Sequence, residues 1–76
     1  MKEILESIVF NLVEDRSKVT IEEIVDANNI LYKVKTAKSD MGRVIGRQGR
    51  TAKAIRTIMK SLGSKEKKRV TIEFVD

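Results

Sequence analysis

The chain has 76 residues, a formal net charge of +5, no cysteine and no histidine. A chain this short predicts one domain, residues 1–76, which buries only roughly 60% of the surface that its unfolded form exposes and leaves room for stabilisation by a partner. The missing residue types exclude disulfides, thiolate metal sites and histidine-based acid–base catalysis.

The N-terminal segment has the pattern of an amphipathic helix. Its apolar residues recur from Ile4 to Val13 at the spacing of a helix with one buried face, which predicts a first helix over about residues 2–14. Glu3 and Glu6 interrupt the apolar run that a signal peptide needs, and no stretch approaches the roughly 20 apolar residues that span a bilayer. We therefore expect a cytoplasmic protein.

A β-hairpin is predicted next. Residues 19–25 are rich in β-branched side chains, although Ile24 breaks their alternation and suggests a bulge. Asn28 and Asn29 suit the turn because asparagine tolerates a positive φ. Residues 30–36 then alternate as a half-buried second strand with its lysines facing outward.

Two helices and a third strand complete the predicted order, α-β-β-α-α-β. Ser39 or Asp40 is a suitable cap for a short helix that ends at Gly46, and a longer helix is expected to end at Gly63. The longer helix has one basic face, with Lys53, Arg56 and Lys60. Its apolar stripe consists of Ala52, Ile55, Ile58, Met59 and Leu62. Residues 69–74 alternate as the last strand.

The positive charge is concentrated in one third of the chain. Residues 1–40 carry six basic and eight acidic side chains, whereas residues 41–69 carry ten basic side chains against Glu66 alone, a balance of +9. Clustering of this kind is typical of a surface that binds a polyanion. The segment from Lys65 to Arg69 is either a further phosphate contact or a solvated linker, and the sequence leaves both interpretations open.

A glycine motif lies inside this basic segment. Gly46, Arg47, Gln48 and Gly49 directly follow the apolar pair Val44-Ile45 and stand between the two predicted helices. Glycine lets a backbone approach phosphates without a Cβ in the way, and the N-terminus of the following helix favours an anion.

Two nucleotide-binding motifs of enzymes also contain closely spaced glycines, but they fit this segment poorly. A P-loop or a dinucleotide fingerprint would need glycine in place of Val44, and a P-loop would need lysine in place of Arg50. Both motifs should also follow a strand, whereas a helix is predicted here. The structural alternative is that Gly46 and Gly49 merely stop a helix and form a tight turn among solvated arginines. The preceding Ile45, the loop arginines and the flanking elements together favour binding of single-stranded RNA or DNA.

The chain resembles a KH domain over essentially its whole length, through the Ile-Gly-x-x-Gly signature at residues 45–49, the surrounding residues 40–57 and the closing segment 69–76. More narrowly, it is similar to the KhpA family of small stand-alone KH proteins. The resemblance implies the α+β type II KH fold, a three-stranded sheet with helices packed on one face. It also implies an RNA chaperone or post-transcriptional regulator that acts with a KhpB-type KH protein, and a link to cell shape and peptidoglycan homeostasis.

The same resemblance implies which residues bind RNA. In KH domains the Gly-x-x-Gly loop clamps the sugar-phosphate backbone while about four bases lie in a groove beside it. Gly46 and Gly49 would then admit the backbone, and Arg47 and Gln48 would contact it. The cationic rim of the groove would be formed by Arg43, Arg50 and Lys53. Its apolar floor would be formed by Val44 and Ile45, the latter equally suited to the core.

Binding is expected to be weak and only slightly selective. Tyr32, Phe74 and Phe10 are the only aromatic residues and are interpreted as core, so stacking of bases on aromatic rings is not the expected source of affinity. A homodimer would raise avidity. A subunit interface is expected on the wide apolar surface of the longer helix, formed by Ala54, Ile55, Ile58 and Met59.

No catalytic constellation can be assembled from these residues, so we expect no enzyme, no metal site and no cofactor. Glu22 and Glu23 are adjacent on a predicted strand, where neighbours point to opposite faces and do not converge. The alternative to RNA binding is therefore a protein-interaction module that has the KH fold but no RNA role of its own.

Overall fold

The computed structural model describes residues 1–75, which form three α-helices and one three-stranded sheet. In chain order the elements are α1 (Lys2–Leu12), β1 (Thr20–Asp26), β2 (Asn29–Lys35), α2 (Lys38–Ile45), α3 (Arg50–Lys65) and β3 (Arg69–Val75). The predicted α-β-β-α-α-β order and the α+β class are confirmed. Asp76, the last residue of the predicted closing segment, lies outside the described residues.

The sheet has the strand order β1-β2-β3. β1 is antiparallel to β2, and β2 is parallel to β3. The pairing of β1 with β2 is uninterrupted, so the bulge expected at Ile24 is wrong: this side chain simply points away from the helices and stays exposed. The hairpin turn is also different in detail, because Ala27 rather than either asparagine adopts the positive φ, at 53°.

One face of the sheet packs against the helices. The predicted alternation in β2 is confirmed, since Ile30, Tyr32 and Val34 are all buried. The hydroxyl of Tyr32 donates a hydrogen bond to Glu23 Oε2 at 2.7 Å. Burial raises the pKa of Tyr32, and the hydrogen bond to the carboxylate adds a smaller contribution in the same direction. The core consists of Leu5, Val9, Val13, Ile21, Ile30, Tyr32, Val34, Val44, Ile55, Met59, Val70 and Ile72.

The first helix is shorter than expected. α1 ends at Leu12, and the backbone beyond it turns toward α2 instead of continuing the helix. Two of its apolar residues are also less buried than the pattern indicated. Ile4 is 44% exposed, and Phe10 is only partly buried and does not belong to the core.

The start of α2 differs from the expected cap. The helix begins after Ala37 without a side-chain cap, and Asp40 lies inside it as a buried residue. Its carboxylate accepts hydrogen bonds from the backbone N–H groups of Glu14 at 3.1 Å and Asp15 at 3.0 Å. These two bonds, with a smaller contribution from Arg43 at 3.3 Å, lower the pKa of Asp40. Asp40 therefore fixes α2 against the segment that follows α1.

The expectation that Gly63 ends α3 is wrong. The helix continues to Lys65, and Gly63 is buried where α3 crosses β3. A Cβ at this position would collide with Val70 Cγ2 and would lie 2.9 Å from the carbonyl oxygen of Lys68. Glycine is therefore needed here for close packing between helix and strand.

The longest helix of residues 1–75 has 16 residues, and none in this range is both long and apolar enough to cross a membrane.

Candidate nucleic-acid interface

The loop between α2 and α3 is a sharp turn built from left-handed residues. Gly46 ends α2 with φ 76°, and its N–H donates to the carbonyl of Gly42 at 2.9 Å. Gln48 and Gly49 also have positive φ angles, of 58° and 74°. Because three of four successive residues leave the usual helical and extended regions, the chain reverses within one short 3₁₀ turn and leaves Arg47 and Gln48 exposed.

The two glycines of the loop have different surroundings. A Cβ on Gly46 would collide with the hydroxyl of Thr51 and would lie 2.9 Å from the Thr51 backbone nitrogen. Nothing lies within 4 Å of the position that a Cβ on Gly49 would occupy. Gly46 thus packs closely against the first turn of α3, whereas the space beside Gly49 is open to an approaching ligand.

The N-terminus of α3 faces the same loop. Gly49 occupies its N-cap position, so no side chain caps the helix, and its first turn contains no acidic residue. The first amides of a helix carry a partial positive charge, which favours a nearby anion. Arg50 and Lys53 in this turn are exposed and add full positive charges.

The predicted cations fall into two groups. Arg47, Arg50 and Lys53 are exposed, and none of them forms an ion pair with another residue of the range 1–75. Arg43, by contrast, pairs with the carboxylates of Glu14 and Asp40. These carboxylates offset part of its charge, and the side chain stays 51% exposed. Arg43 therefore helps to position α2, and its expected place on the cationic rim stays a prediction.

The predicted apolar floor is also divided. Val44 is fully buried in the core and offers no surface to a ligand, which contradicts its expected place under the bases. Ile45 is 36% exposed beside the loop. Of the two residues only Ile45 is exposed to a ligand, because consecutive residues of a helix point about 100° apart and α2 turns Val44 inward.

Arg56 lies one turn after Lys53 on α3 and was not among the predicted site residues. Its Nε donates to the carbonyl oxygen of Ile72 at 3.3 Å, and its guanidinium carbon lies 5.3 Å from the centre of the Phe74 ring. Arg56 thus bridges α3 to the outer edge of β3. The signal in the sequence was the basic face at residues 53, 56 and 60, whose spacing of three and four places them in one row.

The predicted subunit interface is smaller than expected. Ile55 and Met59 are 2% and 0% exposed and belong to the core, so they are not available to a partner. Ala54 and Ile58 are exposed, the latter by 46%.

Comparison with known proteins gives a consistent result. The family model for the KhpA/KhpB KH domain matches residues 2–74. The chain is 45% identical to the RNA-binding protein KhpA of Clostridium acetobutylicum, over 99% of this chain and 100% of that protein. It is 42% identical to the RNA-binding protein KhpA of Chlamydia trachomatis, over 100% of this chain and 97% of that protein. Identity to the Listeria monocytogenes RNA-binding protein KhpA is 43% over the full length of both. No solved structure matches the chain.

Proposed function

The chain belongs to the KhpA/KhpB family of KH domains, and on this premise we propose that its 76 residues act as one domain that binds single-stranded RNA through the loop at residues 46–49. The observation that carries the proposal is the exposed Arg47–Gln48 pair, held between two left-handed glycines above an uncapped helix N-terminus. Related proteins of the family are named RNA-binding proteins.

The surroundings of the loop suit a phosphate backbone. A phosphate that approaches the open side of Gly49 meets Arg47, Arg50 and the first turn of α3 within one small region. Lys53 extends this positive surface along α3. Ile45 offers the bases an apolar contact.

The same surroundings favour weak and unselective binding. Tyr32 is buried in the core and the ring of Phe74 lies under Arg56, so neither offers an aromatic platform for bases. Contacts to phosphates give affinity but carry no sequence information. We therefore expect little discrimination among single-stranded sequences.

The double variant Arg47→Asp/Gln48→Asp tests the loop directly. We expect its affinity for single-stranded RNA to fall more than about tenfold, since a hydrogen bond to a charged group contributes about 1.5–3 kcal/mol and the new carboxylates repel phosphates. Fluorescence anisotropy measures the affinity, and circular dichroism checks the fold.

The matched control is Lys18→Glu/Thr20→Glu, which changes the charge by the same −3 at two exposed positions outside the loop and α3. Native-like folding of the loop variant with unreduced affinity, or an equal loss in the control, would assign RNA binding to another surface. The chain would then fit the alternative of a protein-interaction module.

We further infer that Ala54 and Ile58 mediate association with a second copy or with a KhpB-type protein, and that the complex acts as an RNA chaperone or post-transcriptional regulator. Ile58 follows Lys53 by five residues, so it lies about 140° around the helix from it. An occupied apolar surface would therefore leave the basic face of α3 free for RNA. The link to cell shape and peptidoglycan homeostasis stays a prediction from family membership.

Light scattering of the Ile58→Glu variant tests this association. We expect a lower mass than that of the unaltered chain, alone or mixed with a KhpB-type protein, because a charge replaces an exposed apolar contact. Ile24→Glu changes an isoleucine of similar exposure, 41%, on the helix-free face of the sheet and should leave the mass unchanged. An unchanged mass in the Ile58 variant would place the interface elsewhere.

A further inference from the structure

A second basic surface lies at the end of α3 that is remote from the loop. An open pocket of about 590 Å³ is present there, between the last turns of α3, the turn that follows and the start of β3. We call it the C-terminal pocket. Its lining residues are Lys60, Ser64, Lys67, Lys68, Arg69, Val70 and Thr71.

The pocket is strongly positive. Four of its seven lining residues are cationic, two carry hydroxyl groups and none is acidic. Across residues 1–75 no carboxylate forms an ion pair with any of these four cations. Glu66 is the one acid of the turn and does not line the pocket. The site therefore offers an anion donors and positive charge, and no acidic side chain lines it.

The backbone beneath these cations is fixed by hydrogen bonds. Lys67 has a left-handed φ of 58°, and its N–H donates to the carbonyl of Ser64 at 3.0 Å. The N–H of Lys68 donates to the carbonyl of Gly63 at 2.8 Å, and that of Arg69 to Asn28 at 2.7 Å. The backbone that carries these cations therefore has a defined conformation.

A row of basic residues along α3 leads from the loop to the pocket. Arg56 contacts Ile72 and Phe74, whereas Gly63 packs against Val70, so α3 runs antiparallel to β3 along one seam. Lys60 continues the row formed by Lys53 and Arg56 and is itself part of the pocket. The rise of an α-helix places Lys60 about 15 Å along the axis from Arg50.

The geometry points to a second phosphate-binding site: the C-terminal pocket binds the backbone of RNA that extends past the nucleotides held at the loop. This inference rests on the proposed function, because the loop must hold the first part of the same strand. A KH loop and groove engage about four nucleotides, so only longer RNA reaches the pocket. The pocket contacts phosphates and adds affinity without adding sequence preference, since lysine acts toward phosphate as a point charge.

The test compares oligouridylates of four and twelve nucleotides by fluorescence anisotropy. The variant Lys67→Gln/Lys68→Gln/Arg69→Gln removes three pocket charges. We expect its affinity for the twelve-nucleotide RNA to fall about tenfold and its salt slope to shrink by roughly 2, at about 0.7 per lost phosphate contact. Affinity for the four-nucleotide RNA should stay within about twofold, because that RNA does not leave the loop.

The matched control is Lys18→Gln/Lys35→Gln/Lys38→Gln, which removes the same charge at exposed positions outside the pocket. Equal losses in control and pocket variant would reduce the effect to net charge and overturn the inference. Unreduced affinity of the pocket variant for the longer RNA would also overturn the inference. If the pocket variant then fails to pair with a KhpB-type protein, the pocket binds a protein partner instead.

Failure of the proposed function gives a different pattern. In that case Arg47→Asp/Gln48→Asp leaves binding of the four-nucleotide RNA unchanged, or the unaltered chain binds neither RNA. When the loop variant loses both RNAs and the pocket variant loses only the longer one, both the function and the second site are supported.

Discussion

Asp40 is the residue on which the position of α2 depends. Its buried carboxylate accepts two backbone hydrogen bonds from a segment more than twenty residues earlier and also contacts Arg43. Glu14 in that segment pairs with Arg43 in turn. α2 leads directly into the loop at residues 46–49. This polar cluster therefore fixes the position of the helix that precedes the candidate RNA site.

We expect Asp40→Asn to lower the melting temperature at pH 7 and to do so less as the solution becomes acidic. Hydrogen bonds lower the pKa of the folded Asp40 below its ordinary value of 3.8. Its carboxylate therefore stabilises the fold fully above that value, and this stabilisation is lost as the pH falls through the folded pKa. Thermal unfolding by circular dichroism between pH 7 and pH 2 measures the effect.

Glu22→Gln is the control, because it removes an exposed carboxylate on the helix-free face of the sheet. A surface change of this kind is expected to alter stability by less than about 0.5 kcal/mol. If the two variants lose the same stability at pH 7, Asp40 does not have the role assigned to it.

Single residues of the loop show how far the sequence is informative. The motif and charge predicted a loop with exposed Arg47 and Gln48, and family membership agrees with the motif. They did not predict that Val44 is buried and Ile45 exposed, since both are apolar and the direction of α2 decides between them. Nor did they predict the contact of Gly46 with Thr51, which depends on the angle between two helices.

At the scale of elements, α2 and α3 each contain a glycine in a helical position, with opposite consequences. No atom lies within 4 Å of the place that a Cβ on Gly42 would occupy, whereas a Cβ on Gly63 would collide with β3. We expect Gly42→Ala to stabilise the protein by about 0.4–1 kcal/mol, by restricting the unfolded chain. Gly63→Ala should destabilise it by about 1–3 kcal/mol through overpacking.

Urea unfolding measures both changes, and a constant slope of free energy against urea shows that the comparison is valid. Gly63→Ala with unchanged stability would mean that α3 and β3 separate easily. If Gly42→Ala reduces stability, then α2 needs glycine at position 42 for a reason other than the space around the added Cβ.

The elements themselves were more predictable than their ends. Alternation and helical spacing are local properties, and they gave the correct type and order of all six elements. The ends of these elements depend instead on contacts between elements. Asp40 contacts residues 14 and 15, about 25 positions earlier, where α1 ends and before α2 begins. Near the end of α3, Gly63 packs against Val70 of the following strand. Local patterns contain no information on such contacts.

For the whole molecule, the concentration of charge predicts how RNA affinity responds to salt. Residues 41–69 carry ten basic side chains and one acidic side chain, and most of these cations are exposed. Each phosphate contact releases counterions, so the logarithm of affinity for single strands should fall with the logarithm of salt concentration by about 0.7 per contact. Unpaired RNA should also bind more tightly than a duplex of equal length, because KH grooves accept unstacked bases.

Anisotropy titrations of single-stranded and duplex RNA at several salt concentrations test both expectations. A flat salt response would show that the basic third of the chain does not contact phosphates. A preference for the duplex would contradict binding in a groove.

The arrangement of side chains around α3 determines which functions single mutations can separate. Its basic side, with Lys53 and Arg56, and its apolar side, with Ala54 and Ile58, are both exposed. Between them lies a buried stripe of Ala52, Ile55, Met59 and Gly63. Alleles altered on the basic side should lose RNA binding and keep association, whereas alleles altered on the apolar side should lose association and keep a folded chain. Two such alleles expressed together should not complement each other, because the chain altered at Ile58 cannot pair with the other. Alleles altered in the stripe should behave as simple loss-of-function alleles, with low protein levels and no complementation.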